Sequence, residues 1–259
     1  MQIGPLTKAF VHDLSAIEGW LYDDNVYVTA AIMDAIGNAG VRGPNFEIGV
    51  YCGKYLAAMH HCASLYHETP LTVGLDAYLF HGKSEQDARN TWVRLFGSTD
   101  GLHIQRGNSL TTSSSEIIEW CSGARPAFIS IDGDHAVQPV LSDHVLCAEL
   151  LARGGVIASD DFCNWRMIGL MEGIARFFLM NNRHRIVPFA FCMHKLYSCH
   201  ADFHDRYMNA LIAWCDANPD LAPPSDSSNC AKRRASPPPA RRFSAGRASS
   251  SKYRDRPCR

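Results

Sequence analysis

Two hydrophobic rhythms alternate along most of the chain. Short apolar runs stop abruptly at a glycine or an acid, as buried strands do on reaching the edge of a sheet. They lie at 46–48 before Gly49, 71–75 before Asp76, 102–105 before Gly107, 128–131 before Asp132, and 156–158 before Asp160 and Asp161. Between them, apolar positions recur every three or four residues, the spacing of one helix face. Asp23 and Asp24 open a helix that runs to Gly37, and another passes through Tyr55, Ala58, Met59 and Cys62. A Ser84-x-x-Asp87 capping box starts a helix striped by Ala88, Trp92 and Leu95 and closed by Gly97. Ser113 to Ser115 cap the helix of Ile117, Ile118 and Trp120, and Val137, Val140, Leu141, Val145, Ala148 and Leu151 mark the next, ended by Gly154 and Gly155. A further helix is predicted over 167–180, then strands at 186–191 and 195–199 close enough for a hairpin, then an amphipathic helix over 201–215. Residues 1–22 have only weak periodicity.

This alternation predicts an α/β fold with a doubly wound, mostly parallel seven-stranded sheet and, from the final helix-free pair, one antiparallel edge strand. Strands joined by a crossover helix are parallel and end on one edge, which in open α/β sheets is the ligand-binding edge. Asp132, Asp134, His135, Asp160 and Asp161 should therefore meet there although they are far apart in sequence. Carboxylates so gathered raise one another's pKa, and a divalent cation is the simplest remedy.

Charge divides the chain. Residues 218–259 carry ten Lys and Arg against three Asp, leaving 15 basic against 23 acidic residues in 1–217. An acidic body argues against a nucleic-acid-binding core surface, while the tail, rich in Pro, Ser, Ala and Arg, lacks the apolar area to fold. The expected organisation is an N-terminal helical segment at 1–43, a main domain at 44–217 and a disordered basic tail at 218–259. No apolar run reaches the roughly 18–20 residues of a membrane span. Ten cysteines without a C-x-x-C pair, and no basic-then-apolar leader, point to a reduced, cytoplasmic protein.

Glu47, Asp76, Asn108 and Asp132 fall at or near strand ends beside glycine turns. An acid ending the second strand, about twenty residues past the first glycine turn, suits two ribose hydroxyls. The Gly49-x-x-x-Gly53 spacing is not the dinucleotide fingerprint and no phosphate-cradling G-K-S/T follows. A nucleoside without a pyrophosphate fits better than a nicotinamide cofactor.

The motifs E-I-G-x-x-x-G-K, V-G-L-D-A-Y, G-N-S, F-I-S-I-D-G-D-H and L-L-A-R-G-G-V-I-A-S-D-D-F resemble, in order and spacing, the class I S-adenosylmethionine-dependent methyltransferases. The likeness is to the small bacterial branch with I-D-G-D-H and D-D-F motifs, related to metal-dependent sugar and catechol O-methyltransferases, and covers roughly residues 44–198. It implies that Glu47, Gly49 and Gly53 line the methionine end of the cofactor, Asp76 holds the ribose, and Asn108 with Ser109 faces the adenine. The family more often has an acid at the position of Asn108. In the metal-dependent relatives, acids matching Asp132, Asp160 and Asp161 bind Mg²⁺, and His135 matches a general base. Two readings of Asp132 stand: metal ligand, or cofactor contact and helix cap as in metal-free members. His135 is either base or orienting residue.

The resulting expectation is O-methylation of a small hydroxylated acceptor, with a noncatalytic nucleoside- or partner-binding module as the alternative. His60 and His61 are expected at the surface, and Trp165 with Arg166 either covers the substrate or packs locally. Cys192, His194, Cys199, His200 and His204 match no common zinc spacing. The apolar face of the last helix is a candidate homodimer surface.

Overall fold

The computed structural model describes residues 4–80 and 82–221, so the expected tail beyond Leu221 lies outside the described residues. Seven strands, β1 (Asn45–Ile48), β2 (Thr72–Asp76), β3 (Leu102–Arg106), β4 (Phe128–Ile131), β5 (Val156–Ser159), β6 (Ile186–Cys192) and β7 (Lys195–His200), form one sheet in the order β3-β2-β1-β4-β5-β7-β6. Strands β3, β2, β1, β4 and β5 pair in parallel, and β7 enters antiparallel between β5 and the outermost β6. Strands β1, β4 and β5 are buried along their whole length, which explains their unbroken apolar reading.

The helices are α1 (Pro5–Leu14), α2 (Asp23–Asn38), α3 (Lys54–Ser64), α4 (Glu85–Phe96), α5 (Ser114–Trp120), α6 (Val137–Leu150), α7 (Ile168–Arg176) and α8 (His204–Ala217). One core on the first face of the sheet gathers Phe10, Ile32, Leu56, Met59, Trp92, Tyr197 and Trp214. The other face buries Phe46, Ile48, Val73, Leu75, Ile129, Ile131 and Ile157 with Ile117, Cys147 and Phe177. The capping residues behave as their chemistry dictates. Ser84 and Asp87 close the box at α4, Gly97 takes φ +79° at its end, and Ser113 accepts the Glu116 N–H at α5 while Glu116 reaches back.

Two expectations, the surface placement of His60 and His61 and the single helix over 167–180, need correction. The weakly periodic N-terminus contains α1, whose Phe10, Val11 and Leu14 are buried. Consequently His60 and His61 are not surface residues: α1 and α4 cover the outer side of α3, Phe10 stacks on His61 at 4.0 Å, and His60 lies 4.4 Å from Trp92. Burial lowers both imidazoles to about 4. The single helix expected over 167–180 is α7 followed by a π turn, Phe177–Asn181, which turns Phe177 into the core. In addition, the apolar face of α8 is committed within the chain, with Tyr207 and Trp214 buried in the core that also takes in α2. No helix among the described residues is long and apolar enough to cross a membrane.

The register decides what reaches the sheet edge. Ile48 is level with Leu75 on one side and Ile131 on the other, and Ile131 is level with Ser159. The ladder continues one step further: Gly49 N–H donates to Leu75 O (2.9 Å), Asp132 N–H to Ile48 O (2.8 Å) and Asp160 N–H to Ile131 O (2.9 Å). Gly49 sits at φ +86°, and a Cβ there would fall 1.8 Å from the Asp132 carbonyl oxygen. Only glycine lets β1 turn away while its backbone touches the β4 end.

Two predictions follow from this packing. Gly49→Ala should lower unfolding stability by about 2–4 kcal/mol through backbone strain and clash, whereas Gly37→Ala, with open space around it, should be neutral or stabilising by about 0.5–1 kcal/mol; urea titrations measure both. The second concerns His144, which is buried with Nδ1–H donating to Val140 O (2.7 Å) and Nε2 accepting from the Ser159 hydroxyl (2.8 Å). That pattern needs the neutral ring, and burial holds its pKa down at about 4 against an ordinary 6.5. Between those values the unfolded chain binds the extra proton, so stability falls on acidification through that window and is flat above it. The unfolding free energy from urea titration should drop from pH 7 to about 4.5, by up to about 1.4 kcal/mol per pH unit for this group, and less steeply in His144→Gln; equal slopes would assign the loss elsewhere.

Candidate active site

The turn after β1 is built to hold its backbone open. Val50 N–H and Tyr51 N–H both donate to Asp76 Oδ2, at 2.8 and 2.7 Å, and Tyr78 N–H donates to Asp76 Oδ1 at 2.6 Å. One carboxylate at the end of β2 thus ties the turn after β1 to the turn after β2. Gly53, at φ +76°, caps α3, and a Cβ there would press on Ala88 at 3.3 Å. The segment before α2 lies over this turn: Tyr51 Oη donates to Glu18 Oε1 (2.6 Å), Lys83 pairs with Glu18 Oε2 (2.6 Å) and Lys54 Nζ donates to Gly19 O (3.1 Å).

At the next strand ends, Asp132, His135 and Asp161 come together. His135 Nε2 stands 3.4 Å from Asp161 Oδ2 and 3.9 Å from Asp132 Oδ1, and ligand atoms of the three residues lie within 4.8 Å of one another. The spacing follows from the register, since β4 and β5 end level and the backbone then turns at Asp161 in a left-handed conformation, φ +54°. His135 Nε2 has no hydrogen-bond partner among the described residues although the atom is buried. Asp161 Oδ1 accepts from Asn164 Nδ2 at 2.9 Å. Asp134 points elsewhere and accepts the Ala136 N–H at the start of α6.

The acidic pair divides. Asp160 Oδ2 takes Lys195 Nζ at 2.6 Å, and its Oδ1 accepts the Asp161 N–H at 2.9 Å. Lys195 opens β7 and is 1% exposed, with its ammonium also 3.9 Å from the centre of the Tyr55 ring. Burial works against the charged amine, but Asp160 and Asp132 outweigh it and raise Lys195 to about 12. Burial, with Asp160 beside it, lifts Asp132 to about 6, a shift moderated by water because a third of its side chain is exposed. Asp132 in turn holds the His135 pKa above its ordinary value. Glu47 is fully enclosed on β1, with Oε2 unpartnered among the described residues, and burial pushes its carboxyl well above the usual range.

The structure therefore brings Asp132, His135 and Asp161 into one cluster and places Asp160 and Glu47 behind it. Gly49, Gly53 and Asp76 form the adjoining turn. Asn108 and Ser109 follow β3: Asn108 is exposed, its Oδ1 accepting from Leu110 N–H at 3.0 Å, and Ser109 is half-buried. Trp165 is exposed, with the Arg166 guanidinium 5.0 Å from its ring. Lys195 escaped sequence reasoning, although a lysine opening the strand after a two-residue turn, beside a strand ending in two acids, was the available signal. Two cavities, of about 150 Å³ between α2 and α8 and about 560 Å³ beside the π turn, contain none of these acids.

Comparison with known proteins agrees with this architecture. Residues 46–162, from β1 through the acidic pair, match the family model described as a methyltransferase domain. Among solved structures, the O-methyltransferase NovP aligns with a TM-score of 0.55 at 11% identity over 69% of this chain and 80% of its own. A TDP-rhamnose 3′-O-methyltransferase of calicheamicin biosynthesis aligns at 0.52 and 15% identity, over 78% of this chain and 97% of its own. The O-methyltransferase from Bacillus cereus, solved with S-adenosylhomocysteine, aligns at 0.51 and 18%, over 76% and 91%. No curated protein matches the chain by sequence. The match over residues 46–162 and the shared fold make this chain similar to methyltransferases.

Proposed function

We propose that the protein is an S-adenosylmethionine-dependent O-methyltransferase acting on a small hydroxylated acceptor. The observation that carries this reading is the pairing of two features on one sheet edge: a glycine turn held open by Asp76, and beside it a cluster of Asp132, His135 and Asp161. The Bacillus cereus enzyme of the same fold was solved with S-adenosylhomocysteine, which supports S-adenosylmethionine as the cofactor.

In this reading Gly49 and Gly53 admit the methionine end of the cofactor, and Glu47, whose carboxyl burial pushes well above the usual range, lies beneath it. Asp76 accepts from a ribose hydroxyl; its two oxygens already take three backbone N–H groups, which fixes their direction and leaves one acceptor site, on Oδ1, for a ligand. Asn108 and Ser109 face the adenine. When bound, S-adenosylmethionine supplies an electrophilic methyl group on a sulfonium. His135, with an unpartnered Nε2 and two neighbouring carboxylates that stabilise its protonated form, takes the proton from the acceptor hydroxyl. Most of the acceleration comes from holding hydroxyl and methyl in line.

The cluster also fits a divalent cation. Asp132 and Asp161 would hold it through the oxygen donors that Mg²⁺ prefers, and a cation there would supply acidification of the acceptor hydroxyl. A reduced, cytoplasmic setting is supported by the eight described cysteines, all free thiols.

Calorimetry with S-adenosylhomocysteine should give a micromolar Kd and no heat with NAD. Asp76→Ala should weaken that binding at least tenfold; unchanged affinity would remove Asp76 from the cofactor site. With an acceptor found by screening catechol and sugar diols, His135→Gln should lower kcat by about 10²–10⁴ and leave S-adenosylhomocysteine binding intact. EDTA should abolish turnover and Mg²⁺ restore it, whereas activity indifferent to chelation excludes Asp132 and Asp161 as ligands.

A further inference from the structure

Lys195 is the feature of the acid rim that the methyl-transfer reading leaves unused. A lysine 1% exposed needs a strong reason to be charged, and its surroundings provide one on every side. Its Nζ pairs with Asp160 on β5, lies near Asp132 on β4 and Glu47 on β1, and sits over the Tyr55 ring on α3. Behind it, Thr29 Oγ1 hydrogen-bonds Tyr55 Oη at 2.8 Å and stands 3.4 Å from Tyr197 Oη, closing the floor with neutral groups.

We propose that Lys195 is a built-in counter-cation: it occupies Asp160, takes that carboxylate out of cation ligation, and confines a divalent ion to the side formed by Asp132, His135 and Asp161. The inference rests on the reading of the rim as a cation site. Both Asp160 oxygens are engaged, one by the ammonium and one by the Asp161 N–H. A second cation at the same carboxylate would stand a few ångströms from the ammonium in a poorly solvated interior, where like charges repel strongly. Nor can the ammonium withdraw easily. The register that pairs Ser159 with Leu196 puts Lys195 level with Asp160, and β6 flanks β7 on its far side, pairing Cys192 with Lys195. The rim thus carries one permanent positive charge of its own, and a metal is asked to offset only the carboxylates on the solvent side.

The test uses Mn²⁺ as the probe, followed by electron paramagnetic resonance of the free ion, on the full-length protein. Lys195→Met releases Asp160 and should bind Mn²⁺ at least tenfold more tightly than the wild type. The charge-balanced Lys195→Met/Asp160→Asn variant should bind within threefold of the wild type. A Lys195→Met protein that is folded by circular dichroism and binds no more tightly than the wild type overturns the proposal, as does a tenfold loss in the double variant, which would make Asp160 a ligand. If the wild type takes up no Mn²⁺ and Lys195→Met does, the cation reading of the rim fails while the counter-cation assignment stands. Folding gives a metal-free check in EDTA: Lys195→Met, left with an unpaired buried carboxylate, should lose thermal stability or fail to fold, and adding Asp160→Asn should recover it. A single variant as stable as the wild type in EDTA contradicts the assignment.

Discussion

Parallel strands that end level must share whatever charges their last residues carry, and in this chain those charges are negative. Glu47, Asp76, Asp132, Asp160 and Asp161 all fall on one edge because β2, β1, β4 and β5 are hydrogen-bonded in a single register that continues to Gly49, Asp132 and Asp160. Each carboxylate is handled differently. Glu47 is enclosed and driven toward its neutral form, Asp76 is satisfied by backbone N–H groups, Asp160 by Lys195, and Asp132 and Asp161 are left facing His135. In the proposed reading the crowding equips the edge for chemistry, since a site with unspent negative charge attracts a proton, a cation or a sulfonium.

The remaining elements hold that edge in place. Gly49 allows β1 to leave the sheet against the Asp132 carbonyl, and Asp76 then clamps the departing backbone. The segment around Glu18 and Gly19 is pinned to the same turn by Tyr51, Lys54 and Lys83. The Lys83–Glu18 pair is too solvated to add much stability, so its role is to order the segment and not to hold the fold. That work falls to the two cores, in which α1, α2, α3 and α8 cover one face and α5 and α6 the other.

How much of this was legible in the sequence depended on whether the signal was local. The strand-ending acids, the Ser84 capping box, the Ser113 cap and the glycine turn are written in a few adjacent residues, and the alternation of strands and helices predicts the sheet. A helical segment was expected at 1–43, but the packing of α1 was not legible, because its apolar positions, Phe10, Val11 and Leu14, are few and find their partners on α3 and α4. For the same reason His60 and His61 read as surface residues when they are covered from outside α3. The division of labour between Asp160 and Asp161 was invisible because neighbours in sequence point in different directions once Asp161 adopts positive φ, and because the partner of Asp160 arrives from β7, 35 residues later.

The central claim is that one rim of the sheet receives a sulfonium nucleoside alongside the acceptor's hydroxyl. A crystal structure with S-adenosylhomocysteine bound tests it most directly. The account predicts a ribose hydroxyl within about 3.2 Å of Asp76 Oδ1 and the cofactor sulfur on the side of the turn that faces Asp132 and His135. A nucleoside lodged away from the Gly49 turn, or a sulfur directed away from His135, would contradict it.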